Sequence, residues 1–546
     1  MKKTSQKFIR LLNNAQKLFD GEHWSGALAL LHKADQIEAE NFTILFQLGW
    51  SHMKMKQETL ALEYFSRVEL IVWHNPIALN SVAVAYILLK KWKSALKVLL
   101  QAMALDKSNI DTYVNLSSVY KNIGENKESL TVALQGIMVK ASEVGLHVNM
   151  GSALLEMGYL HEAQIAFETC LTLQADCMDA HLNLAVILGL GKKPKQAIDY
   201  YQKYIAMADP AGHDKVNVAR YYLSYQLLKL GQLKQGWELY EYGFDSAVPS
   251  LGSRAPTRQF TVPRWEGQPI AGKRLLVWAE QGLGDEILFL SCLKDVLTTC
   301  TDVILECAPR LIAVMARSFP TVTVRATAYQ PNNFNQSVFH DFDYQIPMGS
   351  LPRLYRQSLL DFQRSRPFII TNEKQKARFT DGLSAFEGKL KVGISWRSGL
   401  LAANRNADYS AIQDWGELLQ LPNCVFVNLQ YGDCEAELTE VEALFGISIV
   451  RWQDLDLKND IDEVFALMAC LDVVVTAPTT VHAIAGSLGK PTLLMQGFWD
   501  WTNLGTDFFP WYASTRCFVP SMGQSPAAIL PEVAALVDQM SALNHR

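Results

Sequence analysis

The sequence has no long apolar run, and its nine cysteines include no Cys-x-x-Cys pair. A helix that spans a bilayer needs about 18 or more apolar residues in a row, so we expect no membrane span. The amino terminus is polar and lacks the apolar region of a signal peptide. Scattered, unpaired cysteines are typical of a reducing compartment. These absences predict a cytoplasmic protein.

Charge is also scarce. Charged residues make up 19% of the chain and the net charge is −5, so there is no sign of the basic stripe that nucleic acid requires. His and Cys never cluster at zinc spacing. Two Asp-x-Asp pairs, at 454–456 and 460–462, could hold a divalent ion between phosphates. Both stand just before an expected helix, where carboxylates suit the helix dipole, and we therefore predict no metal and no cofactor.

Comparison of the chain with itself reveals a 34-residue repeat in the first 245 residues. Small residues recur in two sets twelve residues apart, and large residues follow the second set four residues later. This register predicts two antiparallel helices per unit, stacked into a solenoid. The small residues are Ala15, Gly49, Ala83, Ser117, Gly151 and Ala185, and then Ala27, Ala61, Ala95, Ser129, Ala163 and Ala197. The pattern resembles the tetratricopeptide repeat, with Tyr86 and Tyr120 at its aromatic position.

Three asparagines occupy the same position on the first helix of three successive units: Asn115, Asn149 and Asn183. An amide both donates and accepts, so a row of amides can bind an extended peptide backbone without reading its sequence. The alternative is that these amides bond between neighbouring repeats. The residues alone leave both interpretations open.

Beyond a proline-containing linker at 246–271, short apolar runs alternate with helical stretches. Continuous Val/Ile runs separated by helices predict parallel sheets covered on both faces. We expect two α/β units, at 272–385 and 386–525, and a final helix at 526–546, which in two-lobed enzymes often crosses back to the first lobe. Trp265 is the expected anchor of the linker. The expected strands are 274–278, 303–306, 321–325, 343–345, 391–396, 424–429, 448–450, 471–475 and 492–495.

The loop after the first strand contains Gly282, Gly284 and Asp285. Glycines there would admit a substrate and dihedral angles closed to other residues. Asp285 opens a helix at the carboxyl end of the strand, the edge at which parallel sheets bind ligands. Its carboxylate suits either a helix cap or a general base. The loop lacks the third glycine of the dinucleotide fingerprint.

Polar side chains also follow the strands of the second α/β unit. Hydroxyls and free amides at a helix start form an anion site, which an arginine can complete. Each residue also has a structural alternative, such as a helix cap or an ion pair. The candidate ligand-binding residues, which would bind the sugar-nucleotide donor if the resemblance described below holds, are Trp396, Arg397, Ser398, Arg405, Gln430, Tyr431, Thr479, Thr480 and His482.

Five short motifs, at 264–267, 279–285, 426–432, 485–491 and 510–512, together resemble the bacterial tetratricopeptide-repeat glycosyltransferases. The resemblance implies a multidomain protein, in which the all-α solenoid precedes a GT-B pair of Rossmann-like domains similar to heptosyltransferases. In heptosyltransferases an aspartate matching Asp285 is the proposed base. Ala477 and Pro478 stand where their Asp-Thr-x-x-x-His motif has aspartate and threonine, which disfavours ADP-heptose as donor.

The resemblance is strongest to the subgroup that glycosylates flagellin. It implies a metal-independent, inverting protein O-glycosyltransferase that moves a nonulosonic acid such as pseudaminic acid from CMP to Ser or Thr. The solenoid would hold the acceptor protein, through Asn115, Asn149 and Asn183, and the acceptor hydroxyl would approach Gln281, Gly282 and Gly284. The alternatives are transfer from a nucleoside-diphosphate sugar to a glycan or another protein, and a scaffold without catalysis.

Overall fold

The computed structural model describes residues 2–191, 193–213, 215–245, 254–327, 341–364, 366–398, 409–521 and 524–544. The chain forms two compact units, Met1–Met207 and Ala208–Arg546. No helix in the described ranges is both long enough and apolar enough to cross a membrane.

The first unit is built from helices in antiparallel pairs. Within a pair the second helix folds back on the first, and each pair packs on the next. Its helices are α1 Lys2–Asp20, α2 Trp24–Asp35, α3 Phe42–Lys54, α4 Glu58–Ile71, α5 Pro76–Leu88, α6 Trp92–Leu105, α7 Ile110–Asn122, α8 Asn126–Val139, α9 Val144–Glu156, α10 Leu160–Leu173, α11 Met178–Leu190 and α12 Pro194–Ala208.

The small residues of the repeat lie where two helices of a pair touch, and all twelve are buried. A Cβ added to Gly49 would stand 2.9 Å from the Phe65 ring, and one added to Gly151 would stand 2.8 Å from the Phe167 ring. In these two units the large residue therefore occupies the space that the glycine leaves, whereas the fourth unit has Ala133 at the large position. This confirms the packing expected from the 34-residue register.

The seventh helix pair belongs to the second unit. It consists of α13 Val216–Lys229 and α14 Leu233–Tyr240. Trp237 and Tyr240 are almost completely buried, and the Trp237 indole donates to the Arg356 carbonyl over 2.8 Å. We predicted a solenoid that ends at residue 245, whereas this pair shares its core with the α/β region.

Two separate parallel sheets follow in the second unit. The first has the order β3-β2-β1-β4 and the second the order β10-β9-β8-β5-β6-β7. The strands are β1 Arg274–Trp278, β2 Asp302–Cys307, β3 Thr323–Ala326, β4 Tyr344–Pro347, β5 Leu390–Ser395, β6 Cys424–Asn428, β7 Ile449–Val450, β8 Val473–Thr476, β9 Thr492–Met495 and β10 Thr515–Phe518. All nine expected strands are present within a few residues, and β10 was missed.

Helices cover these sheets, as the apolar strands require. They are α15 Leu283–Leu290, α16 Leu293–Thr299, α17 Ile312–Ser318, α18 Leu351–Tyr355, α19 Glu373–Gly382, α20 Gly416–Leu419, α21 Glu435–Phe445, α22 Ile461–Ala469, α23 Thr480–Leu488 and α24 Leu530–Asn544. The segments around the first and second sheets are called the first and second lobes below. The final helix α24 packs on α20 and β5 of the second lobe, through Leu530, Val533 and Val537. A crossing to the first lobe was therefore the wrong expectation, because the apolar face of α24 completes the second core.

Residues 1–207 should fold alone into a stable helical domain, because each repeat packs only on its neighbours in sequence. Residues 1–240 should expose the aromatic side chains of α13 and α14, whose partners include Trp501 and the buried Trp511. We expect the longer fragment to be less soluble and to bind a hydrophobic dye. Circular dichroism and dye fluorescence of the two fragments measure this. Folding of 1–240 but not of 1–207 would assign the seventh pair to the solenoid.

Candidate functional site

Asp285 lies at the carboxyl end of β1, on the first turn of α15. Gly282 is the N-cap of this helix, and its N–H donates to Asp285 Oδ2 over 3.1 Å. One carboxylate oxygen therefore contributes to the helix cap, one of the two roles that the sequence left open. The Asp285 side chain is still partly exposed, so the geometry is compatible with both roles.

The unusual backbone of this loop is at Gln281 and not at the glycines. Gln281 has a left-handed φ of 63°, whereas the φ of Gly282 is −97°. The expectation that the glycines supply dihedral angles closed to other residues was wrong. Left-handed backbone costs energy in a non-glycine residue and persists when its surroundings hold it. The Gln281 N–H donates to the Ala255 carbonyl over 2.6 Å, and its side-chain amide donates to Tyr240 Oη over 2.5 Å.

Glu286, next to Asp285, is a buried carboxyl that sequence reasoning missed. It is 5% exposed and accepts a hydrogen bond from the Ala308 N–H over 2.9 Å. Burial raises the pKa of Glu286 to about 7. Acidic residues are common in the first turn of a helix, so the sequence around Glu286 does not mark it as buried. Its position beside Asp285 was the only signal that it belongs to the site.

In the second lobe, Gln430 joins the ends of β5 and β6. Its Oε1 accepts hydrogen bonds from the backbone N–H groups of Trp396 and Arg397, over 3.1 Å and 3.0 Å. The side chain is 1% exposed. Gln430 thus shapes the loop that follows β5, and a direct contact with a ligand would need the loop to open.

Arg397 and Trp396 share one carboxylate. Glu437, on α21, pairs with the Arg397 guanidinium, and the Trp396 indole donates to its Oε2 over 2.6 Å. Arg397 keeps a partly exposed guanidinium, whereas Trp396 is buried in the core. Ser398 is buried, with its hydroxyl 3.5 Å from Tyr431 Oη. Arg405 lies outside the described residues.

The helix α23 begins directly opposite Asp285. Thr479 is its N-cap and accepts from the Val481 N–H over 3.3 Å. A Cβ added to Gly284 would stand 3.6 Å from both Cα and Oγ1 of Thr480, so the amino termini of α15 and α23 meet across the lobes. Two positive helix ends at one place favour an anion.

His482, one turn further along α23, faces the core. It is 6% exposed, its Nε2 lies 3.2 Å from Thr515 Oγ1, and its ring centroid lies 4.5 Å from that of Phe509. Burial lowers the pKa of His482 to about 3, so the imidazole is neutral. The structure therefore gives the His482 side chain a packing role in the core.

A cavity of about 340 Å³ opens at the carboxyl ends of β6 and β7. Tyr431 and Trp452 supply aromatic rings, Gln453 and Asn459 supply amides, and Lys458 supplies a cation. Ligand pockets of this kind combine apolar faces with a few placed polar groups. Tyr431 therefore lines this cavity, and no motif in the sequence signalled the contribution from 452–459.

The two Asp-x-Asp pairs have structural partners. Asp462 pairs with Arg317, and Asp454 pairs with Arg378. Asp456 accepts from the Lys458 N–H over 2.9 Å, and Asp460 precedes α22 as its N-cap. Within the described ranges, no group of three or more His, Cys, Asp or Glu side chains is placed to hold a metal ion.

A sequence profile of the tetratricopeptide repeat matches residues 144–177, which contain α9 and α10. The chain contains a tetratricopeptide repeat. It is also 34% identical over 384 residues to Protein FlbA of Caulobacter vibrioides. That match covers 67% of this chain and 63% of FlbA, so this chain spans less than two thirds of the length of the relative.

Solved structures also match the repeats. The crystal structure of MamA is 20% identical, with a TM-score of 0.29, and covers 32% of this chain and 94% of MamA. YrrB, described as a TPR protein with an unusual peptide-binding site, is 17% identical, with a TM-score of 0.27. The match with YrrB covers 32% of this chain and 91% of the YrrB chain. Similarity at this level supports no conclusion about function.

The asparagine row of the tetratricopeptide repeats has mostly internal partners. The Asn149 amide donates to the Val114 carbonyl and to Ser117 Oγ, over 3.0 Å and 2.9 Å. The Asn115 amide donates to Asn80 Oδ1 in the preceding unit over 3.1 Å. The Asn183 amide donates to the Asp179 carbonyl of its own helix. Bonding between repeats, one of the two open alternatives, therefore holds for Asn115 and Asn149.

Asn149→Ala should lower the free energy of unfolding of the repeats by about 1–3 kcal/mol, because the buried Ser117 and Val114 oxygens lose a donor. Asn183→Ala is the matched control, and it should cost less than about 0.5 kcal/mol, since its partner is a partly exposed carbonyl. Chemical denaturation of both variants measures the difference. Equal stabilities, with weaker binding of a protein partner by Asn149→Ala, would instead place this amide in a peptide groove.

Glu286→Gln should change how stability depends on pH. The pKa of Glu286 rises from 4.5 to about 7 on folding, so between these values the folded chain holds a proton that the unfolded chain has lost. The free energy of unfolding therefore falls as the pH rises through this window. The variant should remove that fall and be more stable near pH 8, by about 3 kcal/mol at most.

Denaturation of the wild type and of Glu286→Gln at about pH 5 and about pH 8 tests this linkage. Glu373→Gln is the control, because that carboxylate is exposed. An unchanged pH profile in Glu286→Gln would mean that Arg310 keeps the buried carboxylate charged in the folded chain.

Proposed function

We propose that this chain is a protein O-glycosyltransferase of the GT-B type. The observation that carries the proposal is the meeting of two groups across the lobes. A partly exposed carboxylate, Asp285, stands on one helix start, and Thr480 stands on the facing helix start, within contact distance of Gly284. A base and an anion site side by side suit the transfer of a group from a phosphate to a hydroxyl.

The nucleotide is assigned to the second lobe. The cavity beside Tyr431 and Trp452 fits the base and ribose, and the N-terminus of α23 fits the phosphate. Glu437 holds Arg397 and offsets part of its charge, so we give Arg397 a secondary contact with the phosphate. No contact is assigned to the buried Trp396 and His482.

The reaction follows from this arrangement. The acceptor hydroxyl oxygen attacks the anomeric carbon while its proton passes to Asp285. The bond from that carbon to the phosphate oxygen breaks, and the nucleotide leaves with the electron pair. A single displacement inverts the sugar carbon. The helix ends and Arg397 stabilise the leaving phosphate by fixed charge, without a metal ion.

The substrates rest on the motif resemblance and on the repeats. We propose CMP-activated pseudaminic acid, or a related nonulosonic acid, as donor. The acceptor is a Ser or Thr of flagellin, held by the tetratricopeptide repeats. Protein FlbA is related over 67% of this chain, and its name specifies no activity. Stabilisation by a nucleoside diphosphate instead of CMP, in a thermal-shift series, would favour the alternative of a heptosyltransferase-like enzyme.

Asp285→Asn is the decisive variant. Its amide oxygen can still accept from the Gly282 N–H, so the helix cap survives while the base is lost. We expect sugar transfer from CMP-pseudaminic acid to purified flagellin, followed by mass spectrometry, to fall by about 10²–10⁴-fold. CMP affinity and melting temperature should stay near those of the wild type.

Asp285→Ala serves as the matched control, since it removes both the cap and the base and should lose stability as well. Transfer by Asp285→Asn above about a tenth of the wild-type rate lies outside the range for a general base. In that case Asp285 only caps its helix. Absence of transfer by the wild-type chain would refute the proposed function itself.

A further inference from the structure

The seventh helix pair contacts the loop of the candidate site that leads to Asp285. Gln281, in the loop that leads to Asp285, donates from its amide to Tyr240 Oη on α14 over 2.5 Å. Tyr240 in turn packs against Tyr221 on α13, with ring centroids 5.4 Å apart. The loop that carries the proposed base is thus supported by side chains from the helical pair.

Tyr225, also on α13, is partly exposed. Its hydroxyl oxygen lies 2.5 Å from that of Tyr221. Burial raises the pKa of Tyr225 well above its usual range, and the neighbouring tyrosines and the Asp285 carboxylate add to the rise. The ring centroid of Tyr225 lies 5.9 Å from that of Tyr240, the tyrosine that supports the loop leading to Asp285.

The second lobe contributes a ring beside Tyr225. Trp501 lies in the segment after β9, edge-on to Tyr225, with ring centroids 5.6 Å apart. The same segment approaches the turn between α13 and α14 so closely that a Cβ on Gly505 would stand 2.6 Å from the Gly231 nitrogen. Main-chain packing thus fixes the relative positions of the two rings.

We propose that Tyr225, with Trp501, is the platform that positions the polypeptide segment around the acceptor Ser or Thr. The inference rests on the proposed function. Tyr225 contacts Tyr240, which bonds to the loop that leads to Asp285, whereas the phosphate is assigned to Thr479 and Thr480. Tyrosine and tryptophan offer large contact area to a peptide at a low cost in side-chain entropy. They are also the residues that most often dominate protein recognition.

The test uses the full chain, CMP-pseudaminic acid and purified flagellin. Tyr225→Ala should raise the KM for flagellin about tenfold or more, the loss expected when a contacting aromatic side chain is truncated. The affinity for CMP, measured by calorimetry, and kcat at saturating flagellin should stay near wild type. A purely structural defect would lower kcat and CMP binding as well.

Tyr222→Ala is the matched control, because Tyr222 lies on the same helix and its ring contact is with Tyr221. It should leave the KM for flagellin unchanged. If Tyr225→Ala fails to fold, Tyr225→Leu takes its place, because leucine keeps most of the apolar volume. Tyr225→Leu should also raise the KM for flagellin.

Two results would overturn the inference while leaving the proposed function intact. One is wild-type KM for flagellin in a folded Tyr225 variant that transfers sugar. The other is a loss of CMP affinity or a raised KM for the donor at wild-type kcat, which would give the platform to the sugar nucleotide. A wild-type chain that transfers nothing would refute the proposed function, and this inference with it.

Discussion

The buried ion pair between Arg254 and Glu280 is the constraint on which the second unit depends. Both side chains are fully buried, and Arg254 also donates to Glu241, at the end of the helical pair, and to Ser350, after β4. One guanidinium therefore joins the helical pair and the linker to the segments that follow β1 and β4 in the first lobe. Removal of one partner from a buried pair of this kind costs about 3–5 kcal/mol.

The geometry of the candidate site follows from this junction. Glu280 immediately precedes Gln281, whose left-handed backbone is held by Ala255 and by Tyr240. Asp285 stands one turn further along. The position of the proposed base is thus set by contacts with the linker and the helical pair, and less by its own loop. This explains why an all-α pair at the end of the repeats shares its core with an α/β region.

Parallel strands bring their carboxyl ends to one edge, and this concentrates polar residues there. The edge of the second lobe needs its own scaffold, and Gln430 and Glu437 provide it by holding Trp396 and Arg397. Thr479, Thr480 and Tyr431 remain partly exposed, and we assign them to the proposed donor site.

The sequence by itself determined the repeats and the strands. Small residues at 34-residue spacing and Val-rich runs indicate which positions are buried. These patterns are local, so they can be recognised from the sequence alone. Only the tertiary structure decided that the seventh pair joins the second unit, that Gln281 and not Gly282 is left-handed, and that His482 faces the core. Each of these depends on partners distant in sequence: Trp501 for the helical pair, Tyr240 for Gln281 and Thr515 for His482. Residue type and spacing carry no record of such partners, because the contacts exist only once the chain has folded.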